Sequence, residues 1–371
     1  MAGARRRLLL ANVSLAMGGL ERQLLLLARN LPVTWEVRLW TLEGGPYDQQ
    51  VREAGIPWRC RPRHWRFDPT PALDLWLLMH SWRPDIVHAW DWMSAAAALP
   101  ACLVLGTPLV DGSIRMGAVP PRLGPLRRRF PHWATLVVAN SRAGLDAWGV
   151  GPEKGRVIYN AFDGSRLPQD RPTPGPPGES GQPFTVVMAA RMDSHKDYRV
   201  VIEAARLLQH DAPGNWRFLL VGSGPDRAAL AAAAQDLVAA GAVVFQDAGL
   251  EAIDAIREAQ VGILMTDPAT HAEGCSNSIL EYMACELPVI CSDTGGCAEL
   301  VRNGQEGRVI APHDPVALAS SLSELRARPE DSKRMGAAGR ARVEQEFTIG
   351  PMVAAYLQVY EEAMTKRGSA R

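Results

Sequence analysis

Two glutamates separated by seven residues are the clearest indication of chemistry in this chain. Glu273 is the first residue and Glu281 the last of the segment Glu-Gly-Cys-Ser-Asn-Ser-Ile-Leu-Glu. The apolar run at 261–265 predicts a buried strand before this segment, and the apolar spacing after it is typical of a helix. The pattern therefore places Glu273 in a loop and Glu281 in the early turns of a helix whose N-cap is Ser276 or Asn277.

The start of such a helix is suited to binding an anion. Its first backbone N–H groups have no partner within the helix, and the helix dipole is positive at this end. Carboxylates on either side of a bound phosphate would accept hydrogen bonds from hydroxyl groups. A nucleotide-sugar combines these features, and the pattern predicts that one binds here.

Two cations follow an earlier apolar run in the same half of the chain. Arg191 and Lys196 lie five residues apart in the loop after residues 185–189. Cations at the mouth of a sheet can converge on a diphosphate. An isolated pair of this kind is more often two solvated surface charges, and it is the neighbouring Glu273 segment that favours a ligand site.

Glycines at two strand–helix turns indicate close approach of the backbone to a ligand. Gly18 and Gly19 follow the first apolar run, and Gly222 and Gly224 follow a later one in the sequence Val-Gly-Ser-Gly-Pro. Such turns leave N–H groups accessible to an anion, although a tight loop without a ligand is an equal interpretation of the first pair. The second turn lacks the third glycine of a dinucleotide fingerprint, which excludes a standard NAD site.

The composition indicates a two-domain globular protein. The chain has 371 residues, 47% of them apolar, and no apolar run long enough to span a bilayer. Residues 1–180 carry 22 basic and 15 acidic residues, and residues 181–371 carry 18 and 25, so the net charge of zero hides a basic and an acidic half. The acidic half and the lack of a recognition motif argue against nucleic acid as a partner. The six cysteines form no CxxC pair, so we expect reduced thiols in a cytoplasmic protein.

Short apolar runs alternate with amphipathic segments along both halves of the chain. This alternation is typical of parallel sheets, in which ligands bind at the carboxyl ends of the strands. Residues 166–183 are rich in proline and glycine and predict a linker. We expect an α/β protein with one domain at 1–165, a second at 184–347, and a last helix at 348–366 that packs back on the first. The two doubly wound, Rossmann-like domains would face each other across a cleft.

The ordered set of motifs resembles the retaining glycosyltransferases of family 4. The similarity runs from Gly18 to about Phe347 and rests on the two glutamates, on Ala-Ala-Arg-Met-Asp-Ser-His-Lys, and on Val-Gly-Ser-Gly-Pro. The segment Val-Ile-Tyr-Asn-Ala-Phe-Asp at 157–163 and Thr-Gly-Gly at 294–296 are also similar to family segments. The glutamate spacing alone is common, whereas the complete set is specific. The resemblance implies the GT-B architecture of two facing Rossmann-like domains.

The resemblance also implies roles for individual residues. Glu273 would contact hydroxyls of the donor sugar, and Glu281 would hold the ribose of the nucleotide. Arg191 and Lys196 would neutralise the departing diphosphate, a form of electrostatic stabilisation that is usually the largest catalytic term. The remaining donor-binding positions would be Gly19, Gly222, Gly224, and the backbone N–H groups of Ser276, Asn277 and Ser278. We expect neither a cofactor nor a metal, since two cations would replace a divalent ion and the chain has no Asp-x-Asp sequence.

Four residues of the first half are candidates for the acceptor side. Many family members carry a histidine after the fourth strand, where this chain reads Val-Asp-Gly-Ser-Ile-Arg, so Asp111 or Arg115 would occupy that space. Asn160 is followed by alanine in place of the usual glycine of an Asn-Gly turn. His88 ends an apolar run, where a core histidine is as good an interpretation as an acceptor contact.

A basic and aromatic stretch indicates contact with anionic lipid. It comprises Arg115, Arg122, Arg127, Arg128, Arg129, Phe130, His132 and Trp133. Such a stretch suits lipid headgroups or a lipid-diphosphate acceptor, although a solvated loop is an equal interpretation. We expect peripheral association with the inner face of the cytoplasmic membrane.

The sequence therefore predicts a retaining hexosyltransferase. A UDP- or GDP-linked sugar would be the donor and a lipid-linked or saccharide hydroxyl the acceptor, in glycolipid or surface-polysaccharide synthesis. Retention would follow same-face attack, with the departing phosphate oxygen taking the proton. Three alternatives stay open, because fold alone does not separate them: a nucleotide-sugar epimerase, a phosphorylase, and a sugar- or nucleotide-binding homologue without activity.

Overall fold

The computed structural model describes most of the chain. The described residues are 5–16, 18–66, 68–120, 124–167, 183–212, 215–247 and 252–369. Most of the predicted linker, residues 168–182, and Arg122 of the basic stretch lie outside these ranges. Contacts divide the chain into two compact units, the first made of residues 1–115, 119–160 and 349–371 and the second of residues 116–118 and 161–348.

The first unit is built on a parallel sheet. Among the described residues it has seven strands, in the order β3-β2-β1-β4-β5-β6-β7. The strands are β1 (Arg6–Asn12), β2 (Trp35–Thr41), β3 (Trp58–Cys60), β4 (Ile86–Ala89), β5 (Leu109–Ile114), β6 (Leu136–Ala139) and β7 (Gly155–Val157). The helices before the crossing to the second unit are α1 (Gly19–Asn30), α2 (Asp48–Glu53), α3 (Thr70–Trp82), α4 (Trp92–Leu105), α5 (Pro125–Arg129) and α6 (Arg142–Trp148).

The second unit repeats this plan with six parallel strands in its described part, ordered β10-β9-β8-β11-β12-β13. They are β8 (Phe184–Ala189), β9 (Trp216–Val221), β10 (Val243–Gln246), β11 (Val261–Leu264), β12 (Val289–Ser292) and β13 (Gly307–Ile310). The helices are α7 (Tyr198–Asp211), α8 (Arg227–Ala233), α9 (Gln235–Ala239), α10 (Ile253–Arg257), α11 (Asn277–Ala284), α12 (Cys297–Leu300), α13 (Pro315–Ala327) and α14 (Pro329–Glu346). The last helix, α15 (Ile349–Ser369), belongs to the first unit.

The predicted fold class of two doubly wound, Rossmann-like units is confirmed. In each sheet the strand order reverses beside the first strand of the unit, between β1 and β4 and between β8 and β11. Ligands of open α/β sheets bind at such switch points, outside the carboxyl ends of the strands. The loops after β8 and β11 are therefore the elements that position the candidate site in the second unit.

The chain crosses between the units after Asn160, five residues before the predicted boundary at 165. The reason is pairing within the second unit: the Phe162 N–H donates to the Phe347 carbonyl at 2.7 Å, and Arg166 forms an ion pair with Glu281. The chain returns after Thr348. In the first unit, the buried Tyr360 of α15 packs against His88 at the end of β4, with ring centroids 5.8 Å apart.

Candidate functional site

The backbone of the Glu273 loop is held by a glycine turn on the neighbouring strand. Gly295, after β12, has a φ of +54°, and a Cβ there would lie 2.1 Å from the Glu273 carbonyl oxygen. The next amide, that of Gly296, donates to the same oxygen at 2.7 Å. Only glycine fits this contact, so the Thr-Gly-Gly turn fixes where Glu273 lies.

The Glu273 carboxylate is buried among polar partners. Its Oε1 accepts hydrogen bonds from the Lys196 ammonium and from the Thr266 hydroxyl, the latter at 3.1 Å. Its Oε2 lies 3.8 Å from Nε2 of His271. Thr266 is itself fixed, because its N–H donates to the Ser292 hydroxyl at 3.0 Å. One oxygen of Glu273 is therefore anchored, and the other faces a histidine with a longer separation.

Lys196 brings a positive charge into a largely buried position. Burial lowers the pKa of the Lys196 ammonium to about 8, and the negative charges of Cys297 and Asp193 oppose this shift. The group is still protonated at neutral pH. A cation that has lost much of its water interacts strongly with an incoming anion, because the local dielectric is lower than that of water.

Arg191 does not accompany Lys196 in this structure. Its side chain is 72% exposed, and its Nε lies 3.2 Å from the Asp193 carboxylate. Of the two cations expected to converge on one anion, Lys196 is the one that contacts the Glu273 loop.

The start of α11 lies where the sequence predicts it. Ser276 is the N-cap residue, and the helix begins at Asn277. The Ser278 hydroxyl donates to the Ala189 carbonyl at 2.6 Å, which ties the helix start to the carboxyl end of β8. The anion-attracting end of the helix is thereby placed between the loops that carry Lys196 and Glu273.

Glu281 forms a buried ion pair that the sequence does not reveal. Its Oε1 lies 2.8 Å from Nη1 of Arg166, and the two side chains are 6% and 13% exposed. Arg166 also lies over the Phe162 ring at 5.7 Å. The predicted linker begins at Arg166, whereas the structure uses this residue as the partner of the second glutamate.

The glycines after β9 are required by packing. A Cβ at Gly222, where φ is +145°, would lie 2.1 Å from the Ala190 carbonyl oxygen. A Cβ at Gly224 would lie 2.1 Å from that of Met192. These glycines let the turn pack against the loop that leads to Lys196, and a direct contact with the donor stays a prediction.

In the first unit, His88 lies in the core rather than at the surface. It is fully buried, and its Nδ1 is 2.9 Å from the Tyr360 hydroxyl. Desolvation lowers the pKa of its imidazole well below 6.5, and the nearby Arg115 charge acts in the same direction. These contacts favour the interpretation as a core histidine.

The other first-unit candidates lie on or near β5, β7 and α1. Asp111 is buried, its Oδ1 accepts the Ser113 N–H at 2.9 Å, and burial raises its pKa to about 6. Arg115 donates from Nε to the Gly112 carbonyl at 2.7 Å and lies over the Trp90 ring at 4.5 Å. Asn160 is buried after β7, and the exposed Gly19 begins α1. An acceptor role for Asp111, Arg115 and Asn160, and a donor contact for Gly19, stay predictions.

Three further residues of the second-unit site were not among the predicted site residues. Besides Arg166, they are Thr266 and His271 beside Glu273, and Tyr282, whose hydroxyl accepts the Ala189 N–H at 2.6 Å. Tyr282 fills the space beside Gly262, where a Cβ would lie 2.3 Å from its ring. The one signal that could have pointed to Thr266 is its place two residues after β11, because the loop after a parallel strand lies at the carboxyl edge of the sheet.

Two family models match the chain. "Glycosyltransferase Family 4" covers residues 17–166, and "Glycosyl transferases group 1" covers residues 183–328. Together they span about four-fifths of the sequence. The chain therefore belongs to glycosyltransferase family 4 and is a glycosyltransferase.

Individual relatives are distant. The chain is 26% identical over 306 residues to the glycogen synthase of Mycobacterium tuberculosis, covering 78% of this chain and 70% of that protein. It is 30% identical over 172 residues to the amylovoran biosynthesis glycosyltransferase AmsK of Erwinia amylovora, covering 45% and 42%. The structure of Anabaena HepE in complex with UDP-glucose has a TM-score of 0.79 at 19% identity and covers 96% of this chain and 99% of its own. This last likeness shows the shared GT-B fold.

Proposed function

We propose that this chain is a retaining, metal-independent hexosyltransferase that uses a nucleotide-sugar, with UDP as the first nucleotide to test and GDP as the second. The observation that carries the proposal is the buried Lys196–Glu273 pair beside the start of α11. The loops after β8 and β11 thereby bring a cation and a carboxylate together beside the positive end of a helix dipole. The UDP and UDP-glucose bound to HepE, a structure of the same fold, support the choice of UDP.

The proposed reaction exchanges one bond at the anomeric carbon for another. The bond from that carbon to the diphosphate oxygen breaks, and an acceptor hydroxyl oxygen attacks from the same face. The departing phosphate oxygen takes the hydroxyl proton. Lys196 and the first N–H groups of α11 stabilise the charge that develops on the diphosphate.

The two glutamates would hold the two ends of the donor. The Glu273 oxygen that faces His271 would accept hydrogen bonds from sugar hydroxyls, while Thr266 and Lys196 fix the other oxygen. Glu281, oriented by Arg166, would accept from the ribose. Arg191 would have to leave Asp193 to reach the diphosphate, so we propose it as a second, weaker contributor.

The acceptor is proposed to be a lipid-linked or saccharide hydroxyl, in glycolipid or surface-polysaccharide synthesis. The relative AmsK is named for the biosynthesis of amylovoran, which supports this choice. We further propose a cytoplasmic enzyme bound peripherally to the inner face of the membrane. No helix among the described residues is long and apolar enough to cross a bilayer.

A ligand screen followed by transfer assays tests the proposal. Thermal shifts with UDP, GDP, ADP and their sugars identify the donor, because a ligand that binds only the native state raises its melting temperature. Glu273→Ala and Lys196→Ala should each lower kcat by at least about 100-fold, whereas the matched exposed controls Glu330→Ala and Lys333→Ala should not. NMR of the product reports whether the anomeric configuration is retained.

Each alternative has its own outcome. A changed sugar without an acceptor would indicate an epimerase, and turnover that requires inorganic phosphate would indicate a phosphorylase. Nucleotide binding without any turnover would indicate a binding homologue. Near-normal transfer by both site variants would contradict the assigned roles.

A further inference from the structure

Helix α4 of the first unit exposes apolar side chains to solvent. Its sequence, Trp-Met-Ser-Ala-Ala-Ala-Ala-Leu-Pro-Ala-Cys-Leu-Val-Leu, contains no charged residue. Leu103 and Val104 near its end are 72% and 76% exposed, and Trp92 at its start is also exposed. Surface helices of globular proteins normally carry polar side chains on the solvent side. The exposed side of α4 therefore has the character of an interaction surface.

The basic segment α5 is continuous with this apolar surface. The Arg127 guanidinium lies 4.9 Å from the centre of the Trp92 ring. At the other end, Trp133 in the turn after α5 and Leu103 of α4 line one pocket of about 330 Å³. We call this surface the α4–α5 face; it consists of Trp92, Leu103, Val104, Leu126, Arg127, Arg128, Arg129 and Trp133.

The charge of the α4–α5 face indicates an anionic partner. Three of the five residues of α5 are arginines. Arg128 and Arg129 are exposed, and neither forms an ion pair with any residue in the described ranges. Leu126 between Pro125 and these arginines is exposed as well. Cations beside exposed leucine and tryptophan are the composition of segments that lie in the interface of an anionic bilayer.

We propose that the α4–α5 face is the surface by which the first unit docks on an anionic lipid bilayer. The proposal rests on the peripheral association proposed above and names the residues responsible for it. The arginines contact lipid phosphates, and Leu103, Val104 and Trp133 enter the interfacial region. The exposed apolar side chains lie at both ends of α4, which carries no charge. Such a spread matches a plane of lipid better than a localised acidic patch on a protein, so a bilayer is the favoured partner.

Sedimentation of the full chain with vesicles tests this proposal. The vesicles contain phosphatidylcholine alone or with phosphatidylglycerol, at low and high salt. We expect partition into the anionic vesicles that falls as salt is raised. Arg128→Gln combined with Arg129→Gln should weaken it roughly 30-fold, since each basic residue contributes about a factor of five. Leu103→Glu should weaken it at both salt concentrations, because it removes apolar contact and adds repulsion.

Matched controls lie in the second unit. Lys333→Gln combined with Arg334→Gln removes the same charge from an exposed helix, and Val316→Glu places the same carboxylate at an exposed valine. Both controls should bind as the unaltered chain does. Circular dichroism and the nucleotide-induced thermal shift, measured on every variant, show that each is folded and that donor binding is intact.

The outcomes separate the surface from the association itself. If the unaltered chain binds neutral and anionic vesicles equally, peripheral association through charge is wrong. If it binds anionic vesicles but the α4–α5 variants bind equally well, the surface is wrong although the association stands. If light scattering shows a dimer that Leu103→Glu converts to a monomer, the face is a subunit interface and the proposal is overturned. A failure of the donor assignment would appear only in the thermal shifts.

Discussion

Replacing Arg166 by glutamine removes a charged partner of the buried Glu281 carboxylate. Glu281 is 6% exposed, so its carboxylate cannot recover full hydration when Nη1 of Arg166, 2.8 Å away, is lost. Breaking a fully buried ion pair costs about 3–5 kcal/mol, because the remaining charge loses a close opposite charge in a position that water reaches poorly. Since both side chains retain slight access to solvent, we expect a loss of about 3 kcal/mol in the free energy of unfolding.

An exposed ion pair in the same unit is the control for this effect. Arg206 lies 3.0 Å from Asp236, and their side chains are 43% and 55% exposed. Pairs of this kind contribute about 1 kcal/mol or less. Arg206→Gln should therefore cost much less than Arg166→Gln.

Urea unfolding followed by circular dichroism measures both losses, and hydrogen exchange in residues 277–284 assigns the effect to α11. Combining Arg166→Gln with Glu281→Gln should recover most of the stability, since the carboxylate that loses its ion pair with Arg166 is removed as well. The Arg166–Glu281 pair does not stabilise the fold if Arg166→Gln costs no more than Arg206→Gln, or if the double variant is as unstable as Arg166→Gln alone.

Three other substitutions test separate features of the two units. Asp111→Asn should change the pH dependence of stability, because the folded-state pKa of Asp111, about 6, exceeds the ordinary 3.8. The contribution of the protonated carboxyl to the free energy of unfolding is therefore present below pH 3.8 and is lost as pH rises through 6, so in urea titrations the difference in unfolding free energy between variant and parent should change by up to about 3 kcal/mol between pH 4 and 7. A difference that stays constant with pH would contradict this. Gly222→Ala should cost at least about 2 kcal/mol by denaturant titration, because its methyl group would meet the Ala190 carbonyl, and Gly164→Ala, where a Cβ has open space, should be nearly neutral. Ser278→Ala should cost about 1 kcal/mol through loss of its bond to Ala189, and an unchanged urea midpoint would show that this bond does not stabilise the helix start.

The sequence was sufficient to predict the strands and helices that are defined by the pattern of neighbouring residues. The apolar run at 261–265 predicted the strand β11 (Val261–Leu264), and the N-cap prediction of Ser276 or Asn277 located the start of α11. The three-residue strand β3 (Trp58–Cys60) could not be predicted in this way, because a short, half-exposed edge strand has no apolar run. The spacing of apolar residues reflects which side chains are buried, so it does not predict a strand whose side chains are only partly buried.

The candidate site was predictable only in part, because spacing along the chain does not determine where a loop side chain points. Lys196 and Arg191 come from one loop, yet Lys196 contacts Glu273 while Arg191 extends toward Asp193. Arg166 meets Glu281 across 115 residues of sequence, and no local pattern announces that contact. For His88, the predicted position near a strand end was correct, but the sequence does not show that Tyr360 of α15 packs against its side chain and buries it.

A crystal structure of the chain with a bound nucleoside diphosphate would show directly whether Lys196 and the start of α11 hold the donor. We expect a diphosphate within about 3 Å of the Lys196 ammonium and of the first N–H groups of α11, with the ribose beside Glu281. A diphosphate bound elsewhere, with Lys196 still paired to Glu273 and contacting no ligand atom, would contradict this expectation.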